Sequence, residues 1–217
     1  MELDLDGDDF TVEPWLYPGT PGGTCGLLAG DRFVPLTAQP GERLGRYTVA
    51  GDLTGDDETE STPATLEALL HELDVAATEE RTLVVAIGSN ASPAVLRRKF
   101  ERRGVGAVVP MVRATAGNVA VGHSAHISRP GYVPAAPIAS DGASTDVVAS
   151  LLDDEQLAAL DATEPNYDRL LVDATHHPLV FESGERPERY WLYVSARGVV
   201  GDDDGPTPLR SQAEIAE

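Results

Sequence analysis

The run Leu83-Val84-Val85-Ala86-Ile87 constrains the fold more than any other stretch. It is apolar without alternation and rich in β-branched residues, the pattern of a strand buried on both faces. It stops at Gly88-Ser89-Asn90, and a helix start follows at once. Ser92 is the N-cap, Pro93 the first helical residue, Val95, Leu96 and Phe100 the apolar positions, and Gly104 the terminator. The spacing predicts a strand over Thr82–Ile87, a tight polar loop and a helix. That junction aims backbone N–H groups and a helix N-terminus at whatever lies in front of the loop, which suits an anionic or carbonyl-bearing ligand.

A strand buried twice needs a layer on each side, and 217 residues with 41% hydrophobic content are enough to supply both. Before the run, Trp15-Leu16-Tyr17 precedes the turn cluster Pro18-Gly19-Thr20-Pro21-Gly22-Gly23, with Trp15 and Tyr17 expected inside. Gly26–Leu36 reads as a hairpin with Gly30-Asp31 at its tip, and Tyr47-Thr48-Val49 as one more short strand. Met1–Asp9 is expected to fray, and acidic Gly51–Ser61 to form a loop or linker. Thr62-Pro63 opens a helix with Leu66, Leu69, Leu70 and Leu73 on one stripe; His71 beside it reads as a flank residue.

After the opening strand and helix, strands are expected over Asn118–Ile127, Thr145–Leu152, Tyr167–Ala174, Pro178–Glu182 and Tyr190–Ser195. Tyr132–Ala139, with Pro130, Pro134 and Pro137 nearby, suits an edge strand or a wall segment. Asp153 and Gln156 form a capping-box start for a helix carrying Leu157 and Leu160, which must stop near Glu164 because Pro165 follows. The expected class is α+β: a mixed β-sheet or small barrel with about three flanking helices, preceded by a small β-rich segment. The expected division is a β-rich extension with its acidic linker over 1–61, a main domain over 62–200, and a polar, acidic tail over 201–217.

The formal net charge is −20. It argues against nucleic acid, whose phosphates would be repelled, and against anionic membrane surfaces. No apolar run approaches the roughly 20 residues of a membrane span. With an acidic N-terminus and Cys25 as the only cysteine, a cytoplasmic location is expected, and Cys25 reads as an ordinary thiol. Lys99 is the only lysine among 16 lysine and arginine residues. That balance fits a GC-rich genome, and equally a salt-adapted protein whose surface carboxylates keep it soluble.

Glu164 is the main catalytic candidate. Leu157, Leu160 and Glu164 have helical spacing 0, 3 and 7, which sets a carboxylate on the face of two core leucines. Desolvation there raises a carboxyl pKa and makes a base competent near neutral pH. The competing reading is a frayed helix end with Glu164 in water. His123, His126, His176 and His177 are the candidates for metal-assisted hydrolysis. On a strand His123 and His126 would point to opposite faces, against chelation, so no metal is expected, although either could line a pocket. Ser89 as a nucleophile lacks the following glycine of a nucleophile elbow.

Val85-Ala86-Ile87-Gly88-Ser89-Asn90 resembles the Tyr-Gly-Ser-Asn loop of gamma-glutamylcyclotransferase-like proteins. Leu157-Ala158-Ala159-Leu160-Asp161-Ala162-Thr163-Glu164, with Tyr167 after it, resembles that family's second signature, and the resemblance spans roughly Thr82 to Ser195. It implies an enzyme that cyclises a γ-glutamyl compound to 5-oxoproline with release of an amine or amino acid. It implies Glu164 as base and acid, and Ile87, Gly88, Ser89, Asn90 and Tyr167 as substrate contacts, without metal or cofactor. Ile87 stands where the family has tyrosine, and Pro165 where glycine is common. The alternative is a catalytically inactive member whose pocket binds a small amine or amino acid, or a protein partner. The first 78 residues match nothing in the family core; a lid, a pocket wall and a homodimer contact are their open roles.

Overall fold

The computed structural model describes residues 5, 9–10, 12–19, 21, 23–49, 64–203 and 205–215. The expected linker Gly51–Ser61, the helix opening at Thr62-Pro63, and Thr20 and Gly22 of the turn cluster lie outside the described residues. So does most of Met1–Asp9. Leu5, where fraying was expected, is buried in the core, and its carbonyl accepts from Arg97 Nη2 at 3.2 Å.

In chain order the elements are β1 (Gly26–Ala29), β2 (Arg32–Thr37), β3 (Thr48–Val49), α1 (Leu66–Glu72), β4 (Thr82–Ala86), α2 (Pro93–Glu101), β5 (Val108–His123) and β6 (Ala135–Leu152). Then come α3 (Asp154–Asp161), β7 (Tyr167–Asp173), β8 (Leu179–Phe181), β9 (Arg189–Ser195), the small pair β10 (Gly201–Asp202) and β11 (Gly205–Pro206), and α4 (Gln212–Ile215). The main sheet runs β3-β2-β1-β5-β6-β4-β9-β7, with β8 on β5. β4 and β9 are parallel and the other neighbours antiparallel, so the sheet is mixed and the class is α+β. Its end strands β3 and β7 are not neighbours among the described residues. Of the two expected forms, the open mixed sheet is the one adopted.

β4 lies between β6 and β9 and is buried on both faces, as its composition predicts. Val85 joins one core, with Val112, Ala149, Leu192 and the α1 leucines Leu66, Leu69 and Leu70. Val84 and Ala86 join the other, with Leu96 and Phe100 of α2 and Leu160 of α3. The period-2 alternation of strand side chains assigns the two faces. The stripe on α1 is one residue shorter than expected: the helix ends at Glu72, and Leu73 is 37% exposed. Burying a side chain the size of Phe100 contributes about 1.5–3 kcal/mol, so the two cores supply most of the driving force.

The longest elements differ from the expectation. β5 starts at Val108, ten residues before the expected Asn118, and the separate segments Tyr132–Ala139 and Thr145–Leu152 merge into the 18-residue β6. The two form a long hairpin ladder with an irregularity between Gly117 and Val119. There Asn118 adopts a left-handed φ of 57°, and its Oδ1 accepts from Gly142 N–H at 2.9 Å while its Nδ2 donates to the His176 carbonyl. The middle of β6, Ser140–Ser144, is polar and mostly exposed, and of it only Ser144 pairs with β5, opposite Gly117; residues 140–143 lie at the irregularity around Asn118. Ala135–Ala139 pairs with β5 on one side, which leaves Pro137 no ladder bond to break on the other.

The β-rich N-terminal segment continues the main sheet through β1 on β5. Its Gly30-Asp31 tip, with Gly30 at φ 62°, is as expected. Trp15 is a correction: it is 60% exposed, whereas Tyr17 is buried. The polar tail docks as well. The side chain of Gln212 bonds both backbone groups of Val133, and Arg210 N–H donates to His123 Nε2 at 2.8 Å.

Candidate functional site

The site grows from the end of β4. After Ala86 the chain passes Ile87 and Gly88 and makes one 3-10 turn over Ser89–Ala91. It then enters α2 with Ser92 at the N-cap position and Pro93 first. The turn uses the N–H groups of Ala91 and Ser92, which donate to Gly88 O and Ser89 O. That leaves the N–H groups of Gly88, Ser89 and Asn90 as the turn's candidate donors to a ligand. Gly88 is required by close approach: a Cβ there would lie 2.6 Å from the Tyr17 hydroxyl oxygen and 3.4 Å from Ala135 Cβ.

Tyr17 reaches this point from the N-terminal segment. Its hydroxyl accepts from Ala135 N–H at 2.7 Å, and its ring stacks on Tyr132 at 4.2 Å, with Phe10 edge-on to both. Tyr167 donates its hydroxyl to the Ala135 carbonyl at 2.8 Å. A cleft of about 340 Å³ lies among these groups. Its lining includes Ile87, Gly88, Ser89, Asn90, Glu164 and Tyr167, the six residues that the sequence singles out.

Glu164 does not share a helix face with Leu157 and Leu160, which corrects the spacing reasoning. α3 ends at Asp161, three residues before it, and the chain turns: Glu164 N–H donates to Asp161 O, and Tyr167 N–H to Glu164 O. Nor is it open to water, since its side chain is 14% exposed. Asn90 Nδ2 donates to Glu164 Oε1 at 3.0 Å, so loop and carboxylate meet directly. Lys99 Nζ contacts the same Oε1 at 2.5 Å and Asn90 Oδ1 at 2.7 Å.

Four tyrosines crowd this carboxylate. Burial raises the hydroxyls of Tyr17, Tyr132, Tyr167 and Tyr193 above the ordinary tyrosine range, and the negative charge of Glu164 adds to each. They stay neutral O–H groups at any working pH. His126 also lines the cleft, with Nδ1 bonded to the Ser124 hydroxyl at 2.7 Å and its ring edge-on to Tyr167. Its pKa is lowered by burial and by Arg197, against the opposing pull of Glu164.

The histidines do not form a metal-ligand set. β5 ends at His123, which is buried against Arg210, and His126 lies in the loop beyond it, so the opposite-face geometry does not arise. His177 bonds the Asn118 carbonyl. Among the described residues no three His, Cys, Asp or Glu side chains converge. Cys25 is buried beside Glu182, and burial pushes its thiol up to about 12.

The lining carries Arg98, Lys99, Arg102 and Arg129 against Asp9 and Glu164, an excess of positive charge in a strongly acidic chain. That field suits a carboxylate-bearing ligand. Sequence reasoning missed these cations, although Val95, Arg98, Lys99 and Arg102 stand at i, i+3, i+4 and i+7 and so share one face of α2. It also missed that Tyr17 faces the loop, because nothing local ties residue 17 to residue 88.

Fold and cleft define an α+β protein whose candidate site joins a strand-to-helix turn to a carboxylate 74 residues later. No family model matches the sequence, and no curated protein matches it. The solved structures similar to this chain include a gamma-glutamyl cyclotransferase, the family that the sequence motifs resemble. It is 16% identical over 54% of this chain and 68% of its own, with a TM-score of 0.43. A solution structure from Arabidopsis thaliana is 19% identical, covering 63% of this chain and 81% of its own, with a TM-score of 0.44. YkqA from Bacillus subtilis is 14% identical, covering 89% and 82%, with a TM-score of 0.41.

Proposed function

We propose that this protein is an enzyme that cyclises a γ-glutamyl compound to 5-oxoproline and releases an amine or amino acid. The observation that carries the proposal is the 3.0 Å contact between Asn90 and Glu164 on the lining of one cleft. It supports the reading because it sets a candidate base beside the turn proposed to hold the substrate.

In the reaction the substrate's own α-amine attacks its γ-amide carbonyl. A C–N bond forms, charge collects on the carbonyl oxygen, and the bond to the leaving amine breaks. The protein's first task is to fold the substrate so that amine and carbonyl meet, which the short Gly88–Asn90 turn and the tyrosine wall serve. The α-amine nitrogen loses two protons on its way from ammonium to lactam N–H. Glu164 takes one before the attack and returns it to the leaving nitrogen as its C–N bond breaks. The second also ends on the leaving amine, which departs as an ammonium, so no net proton is consumed. Backbone N–H groups of the turn and a neutral phenol are suitable donors to the developing oxyanion. The cationic lining matches the glutamyl carboxylate.

The test is a panel of γ-glutamyl amino acids, peptides and polyamines, read as 5-oxoproline released. At least one compound should be turned over. Glu164→Gln should lower that rate by at least about 100-fold, the contribution typical of a positioned general base, while the fold is kept. Unchanged turnover in Glu164→Gln, or no 5-oxoproline from any compound, ends the proposal.

A further inference from the structure

The one lysine of the chain stands where loop and carboxylate meet. Lys99, Asn90 and Glu164 come from the late part of α2, the turn after β4 and the turn before β7. They close a ring of three contacts: Lys99 Nζ to Glu164 Oε1, Lys99 Nζ to Asn90 Oδ1, and Asn90 Nδ2 to Glu164 Oε1. Among the described residues, both side-chain donors to Glu164 fall on Oε1. Each carboxylate oxygen offers about two acceptor sites, so Oε1 is filled.

The residue type fits this task. An ammonium is a compact charge with three rotatable donors, able to serve two acceptors in one small angle, whereas a guanidinium is a flat fork suited to both oxygens of one carboxylate. The other 15 of the 16 lysine and arginine residues are arginine, so the general composition favours the guanidinium and only this position departs from it.

We propose that Lys99 is a positioning residue: with Asn90 it clamps Oε1 of Glu164 and leaves Oε2 as the oxygen that carries the proton. The clamp fixes the rotation of the carboxylate plane. Oε2 then receives the proton from the substrate's α-ammonium and hands it to the leaving amine. The role of Oε2 rests on the cyclisation proposed above; the clamp is a property of the protein without substrate.

Having one lysine makes the clamp directly visible. Protein labelled with 13C,15N-lysine carries a single lysine spin system. Its Nζ signal should show slowed hydrogen exchange in the wild type and lose it in Glu164→Gln and in Asn90→Ala. Kinetically, Lys99→Met should lower kcat on the order of 10- to 100-fold, the effect of a misplaced catalytic group, with KM changed by less than about threefold. Lys99→Arg should restore only part of kcat. An Nζ signal that exchanges freely in the wild type and is unchanged in Glu164→Gln removes the clamp, whatever the activity. A clamped Nζ together with undiminished turnover in Lys99→Met removes the positioning role. If the wild type releases no 5-oxoproline, the role of Oε2 falls with the cyclisation reading, and the labelled spectrum separates that outcome from failure of the clamp. The spectrum needs only wild type and Glu164→Gln, so it decides the clamp even if Lys99→Met does not fold.

Discussion

Gly88 and Tyr17 should be strongly coupled, and a double-mutant cycle measures it. In Gly88→Ala the new Cβ would sit 2.6 Å from the Tyr17 hydroxyl oxygen and 3.7 Å from the ring carbon bearing it. The backbone accepts alanine, since φ at Gly88 is −118°. The ring cannot swing aside cheaply, because it is buried, stacked on Tyr132 and flanked by Phe10. Overpacking of this kind costs about 1–3 kcal/mol, offset by about 0.4–1 kcal/mol from the stiffer unfolded chain. Tyr17→Phe alone removes the acceptor of Ala135 N–H and costs about 1–3 kcal/mol if that group is left unpaired. In the double variant the clashing oxygen is gone and the ring carbon lies at ordinary contact distance. The double variant should then be about as stable as Tyr17→Phe alone, with a coupling of about 1–3 kcal/mol. Urea unfolding of the four proteins is the assay. Costs that simply add would refute the close approach of the N-terminal segment to the turn.

Two further outcomes test the structure, one beside the cleft and one in the core away from it. Arg169, bonded to both oxygens of Asp161 at 2.8 and 3.0 Å, and then the Tyr193 hydroxyl, hold the Asp161 carboxyl below the usual carboxylate range. A depressed folded-state value stabilises above the unfolded value of about 3.9 and is lost as pH falls through the folded one. The stability deficit of Asp161→Asn should therefore be constant near neutrality and shrink below about pH 4 in urea titrations; a deficit independent of pH would count against the ion pair. Cys25, with its thiol pushed up to about 12, should resist a thiol reagent at pH 8 until the protein unfolds, and fast labelling of the native state would contradict its burial.

The parts of the fold legible in the sequence are those whose cause is local. Thr82–Ala86 declares itself by composition, the start of α3 by Asp153 and Gln156 capping one another, and the β1–β2 tip by Gly30-Asp31. Elements whose cause is a distant partner were not legible. Val108–Gly117 is a strand through its pairing with β1, with the later half of β6 and with β8, and residues 140–143, polar and glycine-containing, carry no period of their own and only join the two paired stretches of β6. Leu5 and Tyr17 are buried by surfaces formed far along the chain.

The same division runs through the site. The turn at Gly88–Asn90 follows from strand, breaker and helix start, all within ten residues. Glu164 was singled out on a helical spacing that the structure does not keep, yet it lies in the cleft, and the reason is Pro165. Pro165 disfavours helical angles at Glu164, and α3 ends at Asp161, so the carboxylate stands in the turn after the helix, where it meets Asn90 of the loop. The clamp depends on a third segment: α2 must bring Lys99 back over the turn that starts it, which requires the packing of α2 on α3 through Phe100 and Leu160. Weakening that contact should therefore disturb the carboxylate before it unfolds the protein, because the clamp has fewer contacts than the core on which it stands.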